Sequence, residues 1–350
     1  MPPFTTAHGT EEPAGWQALA RARGTFYHDP RWITGLARCL RYRVHWITAT
    51  DGADGLAAGL ALAEVPTLTG GRRLVSYPFS FIAGPMAGAR EAAHAVLETA
   101  RGLVAERRAR RLEIKALGPG FDPAPGFQRS GRYSTYRIST EGGEQAVWKR
   151  LDRTSVQQRI RKGEKAGVQV IMGESEADWL AMAELEERVQ QGHGVPAPPR
   201  RLFTGLLRDL QRGGLVDLYL GRIPDGRIAA GFVMYKGPTD WIYAFSASDP
   251  ELVREYRATH VLLWAGLKAA VAAGVVLDLG RTAPEQTTLA EFKLRWGATT
   301  VPLVYDYFPS AGGLNQARRD QGPLALAARI WTRLPRRVAR LGSALFRYLG

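Results

Sequence analysis

The sequence predicts an α/β protein of mixed sheets, made of two copies of one unit and ending in a basic amphipathic tail. Three observations predict it. The order strand, turn, strand, strand, helix, strand runs from Val44 to Leu117 and returns from Val216 to Leu279. Both passages carry Ala-Ala-Gly in the second strand, at Ala57 to Gly59 and at Ala229 to Gly231. The chain has 350 residues, enough for two domains of ordinary size. Its 45% apolar and 23% charged fractions are those of a globular protein.

Residues 1–15 are polar, with Pro and Gly, and are expected to be loose. Trp16 to Arg23 reads as a short helix. Asp29 and Pro30 resemble a helix start, with Trp32, Ile33, Leu36 and Leu40 as the buried stripe. Strands are expected at 44–50, 56–62 and 74–78, then a helix at 91–108 and a strand at 111–117. The Gly/Pro-rich GPGFDPAPGF follows, where the second copy has a helix.

Trp148 to Ala166, WKRLDRTSVQQRIRKGEKA, reads as a basic helix or helix pair capped by Gly167. Lys149, Arg150, Arg153, Arg159, Arg161, Lys162 and Lys165 outnumber Asp152 and Glu164. The run is either a solvated linker or a phosphate-binding surface. A strand at 168–172, a helix at 176–191, a rigid GHGVPAPPRR loop and a helix at 202–211 lead into the second copy. There, strands are expected at 216–220, 228–236 and 241–246. A helix at 259–273, closed by Gly274, and a strand at 275–279 complete it. The expected domains are 1–147, 148–315 and a tail at 316–350.

The most informative stretch is DLGRTAPEQTTLAEFKLRWGATTVPLVYDYF, from Asp278 to Phe308. Gly280 ends a buried strand, and Pro284 suits the first turn of the next helix because no N–H donor is needed there. Leu289, Phe292 and Trp296 fall on one helical face, Gly297 can cap it, and a strand follows from Val301. Lys293 lies at the edge of that apolar stripe. A cation there can serve a phosphate or a developing oxyanion, or simply lie over the core as a surface lysine. Asp278 could orient an attacking amine or pair with Arg281.

The 47 basic and 33 acidic side chains leave a charge of +14, which favours nucleic acid, phosphorylated ligands or an anionic membrane. Cys39 is the only cysteine, so no internal disulfide forms. No Ser-His-Asp arrangement and no His/Cys/acid cluster at ligand spacing is visible, so neither a metal nor a cofactor is expected. No apolar run is long enough to cross a bilayer, and the N-terminal stretch lacks a secretory pattern, so a cytoplasmic body is expected.

From Arg318 to Gly350, eight arginines face Asp320 alone. Pro335 divides the segment into two short helices with an apolar side. Residues Arg329 to Leu349 could lie on an anionic bilayer with Trp331 and Phe346 entering the interface, or dock on the protein itself.

Several segments together resemble the Fem-type (FemABX-like) peptidyltransferases of the acetyltransferase-like (GNAT) superfamily. They are FYHDPRW, GRRLVSYPFSFIAGPM, IRKGEKAGVQV, GHGVPAPPRRLF, DLGR, EFKLRWGA and YDY, in that family's order over about 300 residues. The resemblance implies tandem acetyltransferase-like domains and acyl transfer without a covalent enzyme intermediate. The donor it implies is an aminoacyl-tRNA, and the acceptor an amine of a peptidoglycan or lipid-linked phosphorylated precursor at the membrane's inner face. Phe292 and Lys293 match the family's Phe-Lys pair. The resemblance puts Lys293 at the acceptor's phosphates, near the reacting groups, and makes Arg200, Arg201 and Tyr256 candidates for substrate contact. Asp278 is the second catalytic candidate, and Arg281 and Tyr305 are further candidates for substrate contact. Lys149, Arg153, Arg159, Arg161 and Lys162 are the candidates for the donor's phosphates. The chain has no helical-arm insertion. ASDPELVREYRATH stands where coenzyme A enzymes carry a glycine-rich pyrophosphate loop, which weakens acyl-coenzyme A as donor. An acyl-coenzyme A-dependent N-acyltransferase and a non-catalytic binder of anionic lipid or nucleic acid are the alternatives. The sequence does not give the oligomeric state.

Overall fold

The computed structural model describes residues 4–52, 55–117, 125–309 and 323–350. The first unit contributes β1 (Thr5–Gly9), β2 (Arg43–Thr50), β3 (Ala58–Pro66), β4 (Arg72–Val75), β5 (Met86–Ala87) and β6 (Leu112–Leu117). Next in the chain come β7 (Gln128–Ile138), β8 (Gln169–Met172), β9 (Val216–Arg222) and β10 (Ile228–Lys236). The last three are β11 (Asp240–Ser248), β12 (Val276–Asp278) and β13 (Thr299–Phe308).

All belong to one sheet, ordered β1-β2-β3-β4-β6-β13-β7-β12-β11-β10-β9-β8, with β5 beside β3. The expected repeat is there. β1 to β4 and β8 to β11 are antiparallel neighbours, and in each copy a helix then crosses to a parallel strand. The crossings are Arg90–Glu106 between β4 and β6, and Ala258–Ala273 between β11 and β12. The centre of the sheet is reciprocal. β13, the last strand of the chain, pairs with β6 of the first unit, while β7 pairs with β12 of the second. β13 and β7 also pair with each other, joining the halves.

Sequence expectations fail at both ends of the first unit. Thr5–Gly9 is not loose but is an edge strand along β2. Its residues are all exposed, so no alternation of apolar and polar side chains marked it. Strand β7 was not expected at all, being mostly polar. GPGFDPAPGF lies largely outside the described residues.

Local signals hold where they had a backbone reason. Asp29 accepts the Arg31 N–H ahead of Pro30. Gly274 and Gly297 take positive φ at helix ends. The helix Thr287–Arg295 begins three residues after Pro284, so that proline precedes the first turn rather than sitting in it.

The helices enclose apolar layers whose largest buried side chains include Trp16, Trp32, Trp179 and Trp296. Phe26 stacks on Tyr235 of β10 with ring centroids 4.1 Å apart, and Tyr27 and Trp32 pack around them. This aromatic knot ties the segment Phe26–His28 of the first unit to the second. Such ring pairs stabilise by about 0.5–1.5 kcal/mol beyond their buried area. Arg201 adds a polar tie, donating to the Cys39 carbonyl at 2.8 Å and 3.0 Å.

The tail is two helices, Pro323–Arg333 and Arg336–Leu341, broken at Pro335, and then a final turn Gly342–Tyr348. It wraps the protein. Gln191 donates to the Leu334 carbonyl at 2.6 Å, and Tyr42 to the Arg347 carbonyl at 2.6 Å. Phe346 is buried and stacks on Phe79 with centroids 4.2 Å apart. Phe346 is thus not free to enter a bilayer as expected, while Trp331 is half-buried against Gly342 of the tail.

Candidate active site

The register of the central strands brings one set of polar groups onto one face. In β12, Asp278 stands opposite Arg137 of β7, and Asp240 of β11 lies two residues before Ile242, the parallel partner of Asp278. Across β13, Tyr305 faces Lys115 of β6. Tyr27, from the aromatic knot, covers this face and feels the charges of Asp278 and Asp240.

Two buried carboxylates share one guanidinium. Arg137 Nη2 donates to Asp240 Oδ2 at 3.0 Å, and its Nε lies 3.7 Å from Asp278 Oδ2. Asp278 Oδ1 accepts from the Thr135 hydroxyl and, at 2.7 Å, from the Gly280 N–H. Among the described residues no group donates to its Oδ2. Burial raises the Asp278 pKa to about 6, with the Asp240 charge adding to the rise. The expected Asp278–Arg281 pair does not form. Arg137, which nothing in the sequence singled out, takes that place, because β12 and β7 are neighbours.

After Asp278 the chain turns at Gly280, whose φ of 79° suits glycine. Arg281 then projects, exposed, with its guanidinium 4.6 Å from the Tyr133 ring and Nη1 3.4 Å from the Tyr305 hydroxyl. The loop is held from beneath by Lys293. Its Nζ donates to Gly280 O at 2.7 Å, Thr282 Oγ1 at 2.9 Å and Arg281 O at 3.4 Å. Lys293 is thus neither at the edge of a stripe nor on the surface. It is the buried residue of its helix, whereas Leu289 and Leu294 are exposed. Burial lowers its pKa to about 8, which the Asp278 charge partly opposes. With three acceptors on one loop, Lys293 fixes Gly280 to Thr282 rather than reaching outward.

β11 pairs with β12 only from Asp240 to Ile242, then runs on to Ser248 along β10. A register shift in the β10–β11 pair falls between Tyr243 and Ser246. Beyond β12 the chain follows β7, with Leu279 donating to the Tyr136 carbonyl and Thr282 to the Ser134 carbonyl, and Arg281, Tyr305 and Tyr133 lie together at this end of β12. Phe81 borders Gly280 from the first unit. Nearby Lys115, whose pKa burial lowers to about 8, is close enough to Arg281 for the two charges to oppose each other.

Other expected site residues lie elsewhere. Phe292 packs with His260 and Trp296 on the inner side of its helix. Arg200 is bound to Glu187 at 2.7 Å and Glu184 at 3.0 Å, and Arg201 to Cys39. Tyr256 lies beside Gly163 of the basic helix and near the Asp225–Arg227 turn. The basic run forms two helices, Gly143–Arg150 and Gln158–Lys165, joined by a wide turn. Lys149, Arg153, Arg161 and Lys162 are exposed on it, and Arg159 is half-buried next to His260. Sequence reasoning missed Tyr27, Tyr133, Thr135, Arg137, Asp240 and Thr282. Only FYHDPRW carried a family signal, and none of the others had a spacing that could have marked it.

Residues 151–294 match the family described as an acetyltransferase (GNAT) domain. The crystal structure of FemX superposes with a TM-score of 0.68 at 14% identity, covering 86% of this chain and 96% of that one. This chain has the tandem acetyltransferase-like fold. L-PGS from Bacillus licheniformis superposes with a TM-score of 0.55 at 11% identity, covering 92% and 98% of the two chains. A tandem GNAT protein from the clavulanic acid biosynthesis pathway gives a TM-score of 0.53 at 13% identity, covering 87% and 98%. The expected Fem-type architecture is thus borne out as a fold. No curated protein matches the chain.

Proposed function

We propose that the protein transfers an aminoacyl group from a charged tRNA to an amine of a phosphorylated or lipid-linked cell-envelope precursor. The reading is carried by Arg281, which lies within the residues that match an acetyltransferase domain and is set against Tyr305 and Tyr133 at the end of β12. The Fem-type resemblance and the FemX superposition support it.

The acceptor amine attacks the ester carbonyl, a C–N bond forms and the carbonyl oxygen becomes an oxyanion. The C–O bond to the ribose then breaks, and the leaving oxygen takes the proton that the amine loses. An activated ester needs alignment and charge stabilisation more than a covalent nucleophile. Arg281, fixed by Tyr305 and Tyr133, meets the oxyanion or the acceptor's phosphate. Lys293 is a positioning residue that holds the Arg281 loop. Asp278, Arg137 and Asp240 form the buried support from which the loop leaves β12.

The donor is argued from the turn after β11, which starts the short helix Leu252–Tyr256 ahead of the helix Ala258–Ala273. A coenzyme A pyrophosphate needs free backbone N–H groups and no negative charge there. Here the carboxylate of Asp249 accepts the Glu251 N–H at 3.0 Å, its carbonyl takes the Val253 N–H, and Arg188 binds its other oxygen. This arrangement disfavours acyl-coenzyme A and leaves the exposed arginines and lysines of Gly143–Lys165 for a polyanionic donor.

No helix among the described residues is long and apolar enough to cross a membrane. Contact with an anionic membrane surface is proposed through the outer side of the tail. Ile330, Val338, Leu341 and Leu345 are exposed there, beside Arg329, Arg333 and Arg337.

The test supplies purified protein with labelled aminoacyl-tRNA or acyl-coenzyme A, each with soluble and lipid-linked amine acceptors. Label should pass from tRNA to the acceptor. Transfer only from acyl-coenzyme A would sink the donor assignment, and transfer from neither would leave a binding module.

A further inference from the structure

An open cavity of about 400 Å³ lies outside the site described above, on the helices Gly143–Arg150, Gln158–Lys165 and Ala258–Ala273. Its apolar wall is a pair of indoles. Trp148, half-buried, and Trp264, buried, have ring centroids 4.9 Å apart, with planes inclined by 57°. Cations sit over both rings: Arg161 is 5.5 Å from the Trp148 centroid and Lys268 is 5.8 Å from that of Trp264. Lys149 lines the mouth, and Glu144 and Glu164 lie within the wall.

These groups select a ligand chemistry. Trp148, half-buried and backed by the buried Trp264, offers a face for a flat ring, and base stacking on such a face does not depend on which base it is. Lys149 and Arg161 in the lining, with Lys268 near Trp264, suit phosphates and would repel a quaternary ammonium guest. A neutral sugar would leave the cations unused. The carboxylates of Glu144 and Glu164 accept hydrogen bonds, so within the cavity they favour bases with exocyclic amino groups, adenine and cytosine, over uracil. The single-stranded CCA terminus of a tRNA consists only of such bases.

We infer that the Trp148–Trp264 cavity is a stacking platform for the single-stranded 3′ end of a nucleic acid. The identification of that nucleic acid as tRNA rests on the donor proposed above. The platform adjoins the site helix: the Asp152 N–H donates to the Arg295 carbonyl at 2.9 Å, and Gly297 packs against Arg150. A strand held at Trp148 is therefore bound on the segment that leads to Lys293.

The experiment measures fluorescence anisotropy with the full chain and three 5′-labelled tetraribonucleotides: ACCA, UUUU and an abasic strand of the same charge. ACCA should bind more tightly than the abasic strand by about 5- to 150-fold, the range expected for one stacked base. UUUU should fall between them. Trp148→Ala should bring ACCA down to the abasic level, and Trp148→Phe should restore most of the difference. Equal binding of ACCA and the abasic strand by the unaltered protein overturns the platform, and so does a folded W148A protein that binds ACCA normally. If W148A fails to fold, the comparison of strands on the unaltered protein decides. A protein that transfers from charged tRNA but binds all strands alike overturns the platform and leaves the donor standing. One that discriminates the bases but transfers only from acyl-coenzyme A does the reverse.

Discussion

Replacing Lys293 with Met separates holding the loop from holding the fold. The change removes two close charge-assisted hydrogen bonds, 2.7 Å to Gly280 and 2.9 Å to Thr282. Bonds of that kind contribute about 1.5–3 kcal/mol each. Burial works the other way. A pKa lowered from 10.5 to about 8 disfavours the ammonium form in the fold. That shift corresponds to roughly 3 kcal/mol. The terms largely offset, so K293M should lose about 0–3 kcal/mol of stability. Activity has no such offset, because Arg281 loses the anchor of its loop, and a fall of about 10²–10³ in turnover is expected. Urea denaturation and turnover, measured on K293M, Thr282→Val and the double variant, check both. If Lys293 acts through the loop, T282V and K293M overlap, and their combined loss in turnover is smaller than the product of the two. Full turnover in folded K293M, or strictly multiplicative losses, would refute the reasoning.

Three further outcomes follow from other parts of the molecule. Asp278 has a folded pKa near 6 against an ordinary 3.8, so its fold-stabilising proton is present below pH 3.8 and is lost as pH rises through 6. Asp278→Asn should therefore gain on the unaltered protein by up to about 3 kcal/mol between pH 4 and pH 7, and a pH-independent difference in urea denaturation would contradict this. Reversing charge at Arg159 and Arg161 should raise the donor's KM and flatten its salt dependence, whereas unchanged values would return the basic helices to the role of a solvated linker. In the tail, Leu341→Asp with Ile330→Asp should reduce co-sedimentation with anionic vesicles and leave stability alone, while Phe346→Ala should lower stability. Equal vesicle binding by the Asp variant would remove the membrane contact.

The sequence carried the fold through local signals. The Asp29-Pro30 start, the glycines at 274 and 297 and the repeated strand order all have causes within a few residues. The exchange of β7 and β13 has no local cause, since pairing partners lie over a hundred residues apart and β7 reads as polar. That exchange decides the site. It sets Arg137 against Asp278, and Tyr305 and Tyr133 beside Arg281, so the charge partners could not be read in advance. The stretch from Asp278 to Phe308 supplies Asp278, Arg281, Lys293 and Tyr305 to the proposed site. The placing of Lys293 at the margin failed because the helix Thr287–Arg295 turns Leu289 and Leu294 to solvent and the lysine inward. An apolar stripe says which residues share a face, and here Phe292 and Trp296 do lie inward, with Lys293 buried beside them and, of the stripe, only Leu289 exposed. In the tail, aromatic residues were read as membrane anchors, but Phe346 had a nearer apolar partner in Phe79.

The central claim is that acyl transfer from tRNA takes place where Arg281 and Tyr305 stand together at the end of β12. The most direct measurement is the single-turnover rate of transfer from saturating aminoacyl-tRNA by the unaltered protein and by Arg281→Ala, with tRNA affinity followed in parallel. The account predicts a rate lower by about 10²–10³ in the variant, for loss of one charge-stabilising contact, with tRNA bound as before. An undiminished rate in R281A, or a loss explained wholly by weaker tRNA binding, would contradict it.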